Sequence, residues 1–379
     1  MQRVRKIPLP TPGQTCWRPE IASPMKSVRR LVASLASLLA LTAWAGPTVL
    51  YVSESGDRRI AVYSIHETSG ELTRGGAVDL PGSTGTMAIS PDKRHFYAVV
   101  RTNKQFATLE TDPRTGELSN PILNPAGSDP AYLHVDKTGQ WLLAASHSEG
   151  VVTSSRIAKG VITGEPVVTL ATGKYAHSIH TDPSNRFVLV PHVRELSKIE
   201  QLRFDASTGQ LTPNSPSSMA AGAGQGPRYM RFHPNGRWVY FVTEQGQSVG
   251  HCDYDAKSGT LELRQTLRAT PEGTKGSSAD IHISADGRFA YASNRGHDSL
   301  AVFAIDAKSG ELKLLGQTPT EKTPHSFCLV PGGERFVVAA GAGTNRLVVF
   351  RRDANSGALT WLKTYDCGKS PLSVLAAKY

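Results

Sequence analysis

The sequence predicts an all-β fold, a seven-bladed β-propeller with four antiparallel strands per blade. One hairpin signature recurs seven times along the 379 residues, at intervals of 45–51 residues. Each interval holds about four short β-rich runs separated by turn residues, which is the pattern of one propeller blade. The composition, with 35 Gly and 24 Pro, is typical of a chain with many turns.

The hairpin signature is a small polar residue followed by Gly, a variable residue and, in most copies, Leu. Its glycines are Gly70, Gly116, Gly164, Gly209, Gly259, Gly310 and Gly357. Glycine suits a tight hairpin because one turn residue must adopt a positive φ. A second landmark is a turn that ends in a long polar residue, at Arg94, Gln140, Arg186, Arg237, Arg288 and Arg335. We predict that the arginines at these turns are structural.

Seven hairpins against six internal turns indicate how the ring closes. The unmatched runs are Thr48-Val49-Leu50-Tyr51-Val52 and Pro371-Leu372-Ser373-Val374-Leu375. We expect these two runs to pair, so that both termini build the last blade and no strand edge is left open there. The seven repeats occupy nearly all of residues 46–379, which are therefore predicted to form a single domain.

The first 45 residues predict an export leader. Met25 opens a basic start, residues 31–41 are apolar, and Ala43-Trp44-Ala45 matches the small-x-small cleavage rule. We interpret residues 25–45 as a signal peptide cleaved near Ala45, and residues 1–24 as an over-extended start or a disordered preface. An uncleaved anchor is the alternative, although a membrane span needs about 20 apolar residues. The predicted location is periplasmic or secreted.

Charge and cysteine content limit the partners. The full chain has a formal net charge of +10, but residues 1–45 hold seven basic residues and one acidic residue, so the remainder carries only +4. This gives no reason to expect nucleic-acid binding, or membrane contact beyond the leader. Cys252, Cys328 and Cys367 lack metal-ligand spacing. We expect them to be buried apolar residues, with a Cys328–Cys367 disulfide as the alternative. No cofactor and no metal are expected, and the protein is predicted to be a monomer or a weak oligomer.

The repeat also selects candidate site residues. Counting nine residues back from the turn residue reaches Ala131, His177 and Arg228, and counting ten back from Arg335 reaches His325. Counting seven forward reaches Arg101, His147, Glu244 and Arg295. Both positions lie at the end of a hairpin opposite its turn, so pseudo-symmetry predicts that they meet at one rim of the central channel. The prediction depends on register, because a slip of one residue turns each side chain to the other face.

These residue types suit acyl or proton transfer on an anionic substrate. A guanidinium binds a carboxylate or phosphate through two parallel hydrogen bonds, and it stabilises an oxyanion that forms on a lactone carbonyl. His177 or Glu244 is predicted to remove a proton from water. No Gly-x-Ser-x-Gly elbow is present, which disfavours a serine nucleophile. A plain salt bridge is the alternative for Glu244, and His233 and His282 are interpreted as satisfied polar groups of the blades.

Three segments resemble the bacterial lactonase family of 6-phosphogluconolactonase-type propellers. They are Gly226-Pro227-Arg228-Tyr229-Met230-Arg231-Phe232-His233-Pro234, residues 279–288 and Tyr291-Ala292-Ser293-Asn294-Arg295. The resemblance covers essentially all of residues 47–379. The family is similar in fold to carboxymuconate-lactonizing enzymes, which use a His, a Glu and two Arg in one cleft. It therefore implies the catalytic set that the repeat offsets select: His177, Arg228, Glu244 and Arg295.

The resemblance implies hydrolysis of a sugar lactone. Arg101, His147 and His325, which the repeat offsets place on the same rim, are predicted to bind the substrate. Two features depart from the cytoplasmic relatives, which act on a phosphorylated sugar lactone. The leader predicts export, and His325 stands where an arginine looks usual, which would weaken a phosphate clamp. A non-phosphorylated aldonolactone is therefore an open alternative substrate. Two other functions remain open, a lactonizing reaction on a dicarboxylic acid and a non-catalytic scaffold that binds protein or glycan.

Overall fold

The computed structural model describes residues 46–379, and these form seven β-sheets arranged around a channel. The predicted preface and signal peptide lie outside the described residues. The prediction of a seven-bladed, all-β propeller is confirmed. Between Gly46 and Tyr379, no helix has the length and apolar character needed to cross a membrane.

The strands follow one another blade by blade, and the first strand of each repeat is the innermost. In chain order they are β1 (Thr48–Glu54), β2 (Arg59–Ile65), β3 (Leu72–Asp79), β4 (Thr84–Ile89), β5 (His95–Val100), β6 (Gln105–Thr111), β7 (Leu118–Pro125), β8 (Pro130–Val135), β9 (Trp141–Ser146), β10 (Val151–Ala158), β11 (Val161–Ile162), β12 (Val168–Ala171), β13 (His180–Thr181), β14 (Phe187–His192), β15 (Lys198–Asp205), β16 (Gln210–Ala220), β17 (Pro227–Phe232), β18 (Trp238–Thr243), β19 (Ser248–Asp255), β20 (Thr260–Arg268), β21 (Ser277–Ile283), β22 (Phe289–Arg295), β23 (Ser299–Ile305), β24 (Leu312–Pro319), β25 (Pro324–Leu329), β26 (Phe336–Gly341), β27 (Arg346–Arg352), β28 (Leu359–Asp366) and β29 (Pro371–Lys378). Short 3₁₀ turns at Ser55–Asp57 and Arg101–Asn103 follow β1 and β5.

The termini close the ring as the unmatched runs predict. β29 is the innermost strand of the closing blade and pairs antiparallel with β1, with Val52 opposite Val374. The blade built from β8 to β12 is irregular. Its outer strand is divided into β11 and β12, which both pair with β10. Pro166 lies in the gap between them, and proline has no N–H to donate to a ladder.

The hairpin glycines have two physical reasons to be glycine. All seven have a positive φ, between 72° and 77°. Six of them also lie against a side chain of the adjacent blade, so that a Cβ at Gly259 would fall 2.2 Å from the ring of Phe187 and one at Gly310 would fall 2.6 Å from the ring of Trp238. The carbonyl oxygen of Gly310 accepts a hydrogen bond from the Tyr240 hydroxyl at 2.7 Å. The repeated glycine therefore fixes the turn and joins two blades.

The turn arginines contact the hairpins of adjacent blades. Arg186 donates to the carbonyl oxygen of Ala256 at 2.8 Å, and Arg288 donates to that of Asn355 at 3.0 Å. Between the blades, apolar clusters built around residues such as Trp238, Tyr240 and Phe303 form the core. Cys252 and Cys328 are buried and Cys367 is half-buried, and all three are free thiols. The alternative disulfide is therefore not formed in the structure.

Candidate active site

A cavity of about 210 Å³ occupies one end of the channel. Its wall includes five of the seven predicted site residues, which are Arg101, His147, His177, Arg228 and His325. Tyr229 and Leu372 complete the wall together with residues of β4 and β8. Ligand cavities for drug-sized molecules measure about 300–1,000 Å³, so this one suits a smaller ligand, such as a single sugar ring.

β-bulges in the innermost strands turn several wall residues toward the cavity. In β17, Pro227 lies opposite Thr243 and Tyr229 lies opposite Val242, so Arg228 is an extra residue with no partner on β18. The same shift makes an extra residue of Ala131 in β8, His325 in β25 and Leu372 in β29. A bulge bends its strand and redirects a side chain, and bulges are common next to active sites. The second residue of each of these inner strands therefore faces the cavity.

The four predicted catalytic residues meet at one carboxylate oxygen. Arg228 Nε donates to Glu244 Oε2 at 2.9 Å, and Arg295 Nη2 lies 3.4 Å from the same oxygen. His177 Nε2 lies 3.9 Å from it. The structure thus brings together side chains that span 119 positions of sequence, and the cluster adjoins the cavity through His177 and Arg228.

The ends of the second strands of the blades supply the rest of the cluster. Glu244 follows β18 directly and Arg295 ends β22, so both stand beside an innermost strand. The glycine-rich loop before β17 supports this arrangement. Gly226 has φ +65°, and a Cβ there would fall 1.8 Å from Gln245 Oε1. Gln245 in turn donates to Glu244 Oε1 at 3.3 Å.

Arg228 is almost fully enclosed, with 1% of its surface exposed. Besides Glu244, it donates through Nη1 to the carbonyl oxygen of Ala279 and through Nη2 to His325 Nε2. Its guanidinium also lies over the ring of Tyr229, 4.5 Å from the centroid. These contacts fix the guanidinium, so that its charge and orientation are set before any substrate arrives.

His325 has both ring nitrogens engaged within the protein. Nδ1 donates to the carbonyl oxygen of Leu372 at 2.8 Å, which leaves Nε2 as the acceptor for Arg228 at 3.1 Å. Burial, with the charges of Arg228 and Arg295, lowers the pKa of His325 to about 3. The geometry therefore makes His325 a neutral positioning group for Arg228. That His325 also contacts the substrate, as the sequence predicts, stays a prediction.

The pKa values of His177 and Arg295 are also lowered by burial and by nearby positive charge. Burial, with the charge of Arg228 and the neighbouring His147, holds the pKa of His177 well below its usual range. Burial and Arg228 lower the pKa of Arg295 to about 10. At neutral pH the cluster therefore combines a neutral imidazole, one carboxylate and two guanidinium cations. This is a site with excess positive charge, suited to an anion or to a developing oxyanion.

The two remaining predicted residues lie nearer the mouth. Arg101 lies 3.4 Å from Asp129 and its side chain is 41% exposed. The ring of His147 packs against His177, with 5.7 Å between centroids, and against Tyr175 at 5.2 Å. The repeat offsets missed Tyr229, which stands one residue after the counted Arg228, and Tyr175, which stands two residues before the counted His177. Among residues 46–379, no three His, Cys, Asp or Glu side chains are grouped as a metal site would require.

The comparisons with known proteins show the family of this chain. A family model described as lactonase, 7-bladed beta-propeller, matches residues 47–376. The chain belongs to this lactonase family. The 6-phosphogluconolactonase of Pectobacterium carotovorum subsp. carotovorum (strain PC1) is 37% identical to this chain over 290 residues, which cover 76% of this chain and 86% of the relative. The 6-phosphogluconolactonase of Yersinia pestis (strain Pestoides F) is 34% identical over 282 residues, or 73% of this chain and 83% of the relative.

Solved structures share the lactonase propeller. A protein from Lactobacillus plantarum superposes with a TM-score of 0.78 and 26% identity, covering 87% of this chain and 99% of its own. The periplasmic gluconolactonase PpgL of Pseudomonas aeruginosa also gives a TM-score of 0.78, at 24% identity, with coverage of 87% and 99%. At that identity, the second comparison shows the common fold alone.

Proposed function

We propose that this lactonase-family protein hydrolyses the ring ester of a sugar lactone at the Glu244 cluster. The observation that carries the proposal is the convergence of His177, Arg228 and Arg295 on Glu244 Oε2 beside a cavity of sugar-ring size. The curated relatives named 6-phosphogluconolactonase support the same reaction class. In this reaction the water oxygen bonds to the carbonyl carbon and the ring C–O bond breaks. The products are a hydroxyl group and a carboxylic acid, which then releases its proton to the solvent.

Glu244 and His177 are placed to activate the water. Their facing atoms lie 3.9 Å apart, too far for a direct hydrogen bond and close enough for one water molecule to contact both. His177 is a weak base because of its lowered pKa, whose main cause is burial. We therefore propose that the Glu244 carboxylate takes the proton from the attacking water. His177 orients this water by accepting a hydrogen bond from it.

Arg228 and Arg295 supply positive charge for the oxyanion that develops on the carbonyl. Arg228 forms part of the cavity wall, and Arg295 contacts the same carboxylate oxygen as Arg228. Fixed charges in a site shielded from bulk water stabilise such an oxyanion strongly, because they need no reorganisation during the reaction. Proton transfer from Glu244 to the departing ring oxygen then restores the carboxylate.

The contacts of His325 favour a lactone without phosphate. A neutral imidazole with both nitrogens engaged adds no charge to a phosphate subsite. Arg101 at the mouth is then the most exposed cation of the cavity wall, and it lies near Asp129, which offsets its charge. We propose a non-phosphorylated aldonolactone as the preferred substrate.

The test is hydrolysis of gluconolactone and 6-phosphogluconolactone by protein that starts at Gly46. Lactones open spontaneously in water, so only the rate above an enzyme-free control counts. We expect excess hydrolysis with a higher kcat/KM for gluconolactone, and a larger loss in Glu244→Gln than in His177→Asn. A higher kcat/KM for the phosphorylated lactone would overturn the substrate assignment. No excess rate from folded protein would overturn the enzymatic function and favour a binding scaffold.

We also propose that the protein is exported. The support is the sequence pattern of residues 25–45, with its basic start, apolar stretch and Ala43-Trp44-Ala45. Mass spectrometry of protein from a cell fractionation should find a periplasmic or secreted chain that begins at Gly46. A chain that retains residues 25–45 in the cytoplasm would contradict export. Retention of these residues in the membrane fraction would indicate the uncleaved anchor.

A further inference from the structure

A second cavity, here called the middle cavity, adjoins the first along the channel. Its volume is about 220 Å³, and the innermost strands of six blades form its wall. Thr86 and Tyr229 line both cavities. The ring of Tyr229 packs edge-on against that of Tyr132, with 4.9 Å between centroids. Tyr229 therefore lies at the boundary between two spaces of nearly equal size.

Charged side chains line the middle cavity. Arg231 Nη2 lies 3.5 Å from Asp280 Oδ1 and 3.5 Å from His282 Nε2, and His282 Nε2 lies 3.6 Å from Asp280 Oδ2. Ser326 donates to Asp280 at 3.0 Å. Tyr132 belongs to the same wall. None of these residues takes part in the Glu244 cluster, and we interpreted His282 from the sequence as a satisfied polar group of its blade.

Within the triad of Arg231, Asp280 and His282, Arg231 and His282 keep hydrogen-bonding capacity toward the middle cavity. Their side chains are 25% and 23% exposed, and the contacts that join them to each other and to Asp280 are 3.5–3.6 Å long. Asp280, by contrast, is 3% exposed and accepts from the backbone N–H of Ile281 at 2.8 Å and from Ser326 at 3.0 Å. Arg231 and His282 are therefore available to a ligand, whereas Asp280 is fixed in the wall.

We propose that the middle cavity is a second ligand site, which binds a small hydroxy carboxylate. The guanidinium of Arg231 and the hydroxyl of Tyr132 are donors for a carboxylate group. His282, whose side chain is 23% exposed, is a partner for a hydroxyl group. A volume of about 220 Å³ matches a molecule the size of an opened sugar ring. That the bound acid belongs to the product class of the Glu244 cluster rests on the proposed function, whereas the site itself does not.

The opposite face gives access to the middle cavity. A third cavity of about 520 Å³ opens there and shares Met87, Tyr132, Leu375 and Ala376 with the middle cavity. Lys93 and Lys378 belong to its wall. Lys378 is paired with Glu67 at 2.9 Å, so the attraction of anions to this mouth rests on the positive charge of Lys93. A carboxylate can therefore reach Arg231 without passing the Glu244 cluster.

Isothermal titration calorimetry with sodium gluconate tests the site, beside glucose and sodium sulfate. We expect gluconate to bind the Glu244→Gln variant, whose middle cavity is intact, and to bind Arg231→Met at least tenfold more weakly. Arg114→Met is the matched control, because the Arg114 side chain is 82% exposed and far from the triad in sequence. Glucose, which lacks the carboxylate, should not bind measurably. His282→Leu should also weaken gluconate binding. This variant tests the middle cavity if Arg231→Met does not fold.

Three results would overturn the proposal. The first is gluconate binding that is unchanged in a folded Arg231→Met or His282→Leu variant. The second is binding lost entirely in Glu244→Gln, which would leave the Glu244 cluster as the binding place. The third is sulfate binding as tightly as gluconate, which would indicate a site for any small anion. Failure of lactone hydrolysis with gluconate binding retained would refute the proposed function and support this site.

Discussion

Two glutamates of this propeller are each held by two arginines, and their surroundings differ. Glu54 lies in the closing blade with no exposed side-chain surface, and its oxygens accept from Arg59, from Arg74 through both terminal nitrogens, and from the backbone N–H of Gly368. Glu244 lies at the channel with 20% of its side chain exposed, and its contacts lengthen from 2.9 Å to 3.4 Å and 3.9 Å.

The difference distinguishes a structural carboxylate, Glu54, from the proposed catalytic one, Glu244. The hydrogen bonds at Glu54 join β1, β2, β3 and the segment before β29, which are the pieces that close the ring. Burial would raise the pKa of Glu54, but the bonds from Arg74, Arg59 and Gly368 outweigh it and lower the pKa. Glu244 keeps a neighbour, His177 Nε2, to which it is not bonded, and it adjoins a cavity. We therefore interpret the saturated Glu54 as structural and the unsaturated Glu244 as the proposed base.

The largest expected effect is on catalysis at Glu244. Glu244→Gln keeps the size and one acceptor oxygen but removes the base, so we expect kcat for lactone hydrolysis to fall by about 10²–10⁴-fold. Initial rates at saturating gluconolactone, corrected for spontaneous opening, measure this loss. Circular dichroism of the variant should match the unaltered protein. A kcat within about threefold of the unaltered protein would remove Glu244 from the chemistry.

The second effect is on stability at Glu54. Glu54→Gln leaves two arginines without their carboxylate, and we expect the free energy of unfolding to fall by about 3 kcal/mol, at the low end of the range for broken buried pairs because both arginines are about one-third exposed. Urea unfolding followed by tryptophan fluorescence measures it. Folded Glu54→Gln should keep its kcat. An unchanged unfolding midpoint would show that the closing blade does not depend on this carboxylate.

The pH dependence of stability should distinguish the two clusters. His325 is neutral in the folded protein, with a pKa of about 3, whereas an unfolded histidine titrates near 6.5. The unfolded state thus binds more protons below pH 6.5, and stability falls by about 2 kcal/mol from this group between pH 7 and pH 5. Glu54, with its lowered pKa, loses its contribution only as the pH falls below about 4. His325→Asn should reduce the first decline, to which His177, His134 and other buried histidines with lowered pKa values also contribute, and Glu54→Gln should reduce the second, in unfolding curves measured from pH 7 to pH 3. Identical pH profiles for both variants would contradict this separation.

The smallest effect concerns the orientation of Arg228. His325→Leu removes the acceptor for Arg228 Nη2, and we expect about a tenfold lower kcat with an unchanged KM, since a hydrogen bond to a charged group contributes about 1.5–3 kcal/mol. His325→Asn, which offers an amide oxygen, should recover most of the rate. A raised KM with an unchanged kcat would instead support the substrate-binding role predicted from the sequence.

The fold was predictable because its determinants are local and repeated. The hairpin glycines each need a positive φ, and this requirement shows in the sequence at every repeat. Pairing of β1 with β29 followed from counting hairpins against turns. The division of β11 from β12 was not predicted, since it depends on one proline in an otherwise matching repeat.

The sequence predicted which residues of the candidate site lie together, but it did not predict the contacts that each of them makes. Offsets within the repeat selected His177, Arg228, Glu244 and Arg295, which the structure brings together. Offsets count residues, and they do not show that Arg228 is an extra residue of a bulge. The partner of His325 Nδ1 is a carbonyl on β29, 47 positions away, and no pattern in the sequence indicates that bond. Glu54 was missed for a different reason. Arg59 and Arg74 lie only 5 and 20 positions away, but the closing blade lacks the internal turn from which the offsets are counted.

The most direct test of the central claim is to measure Glu244→Gln and Glu54→Gln side by side, for kcat on gluconolactone and for unfolding in urea. The account predicts that Glu244→Gln folds but is inactive, and that Glu54→Gln is destabilised but active while folded. If Glu244→Gln retains excess hydrolysis, or if both variants lose stability and activity together, the Glu244 cluster is a structural ion pair and the account is wrong.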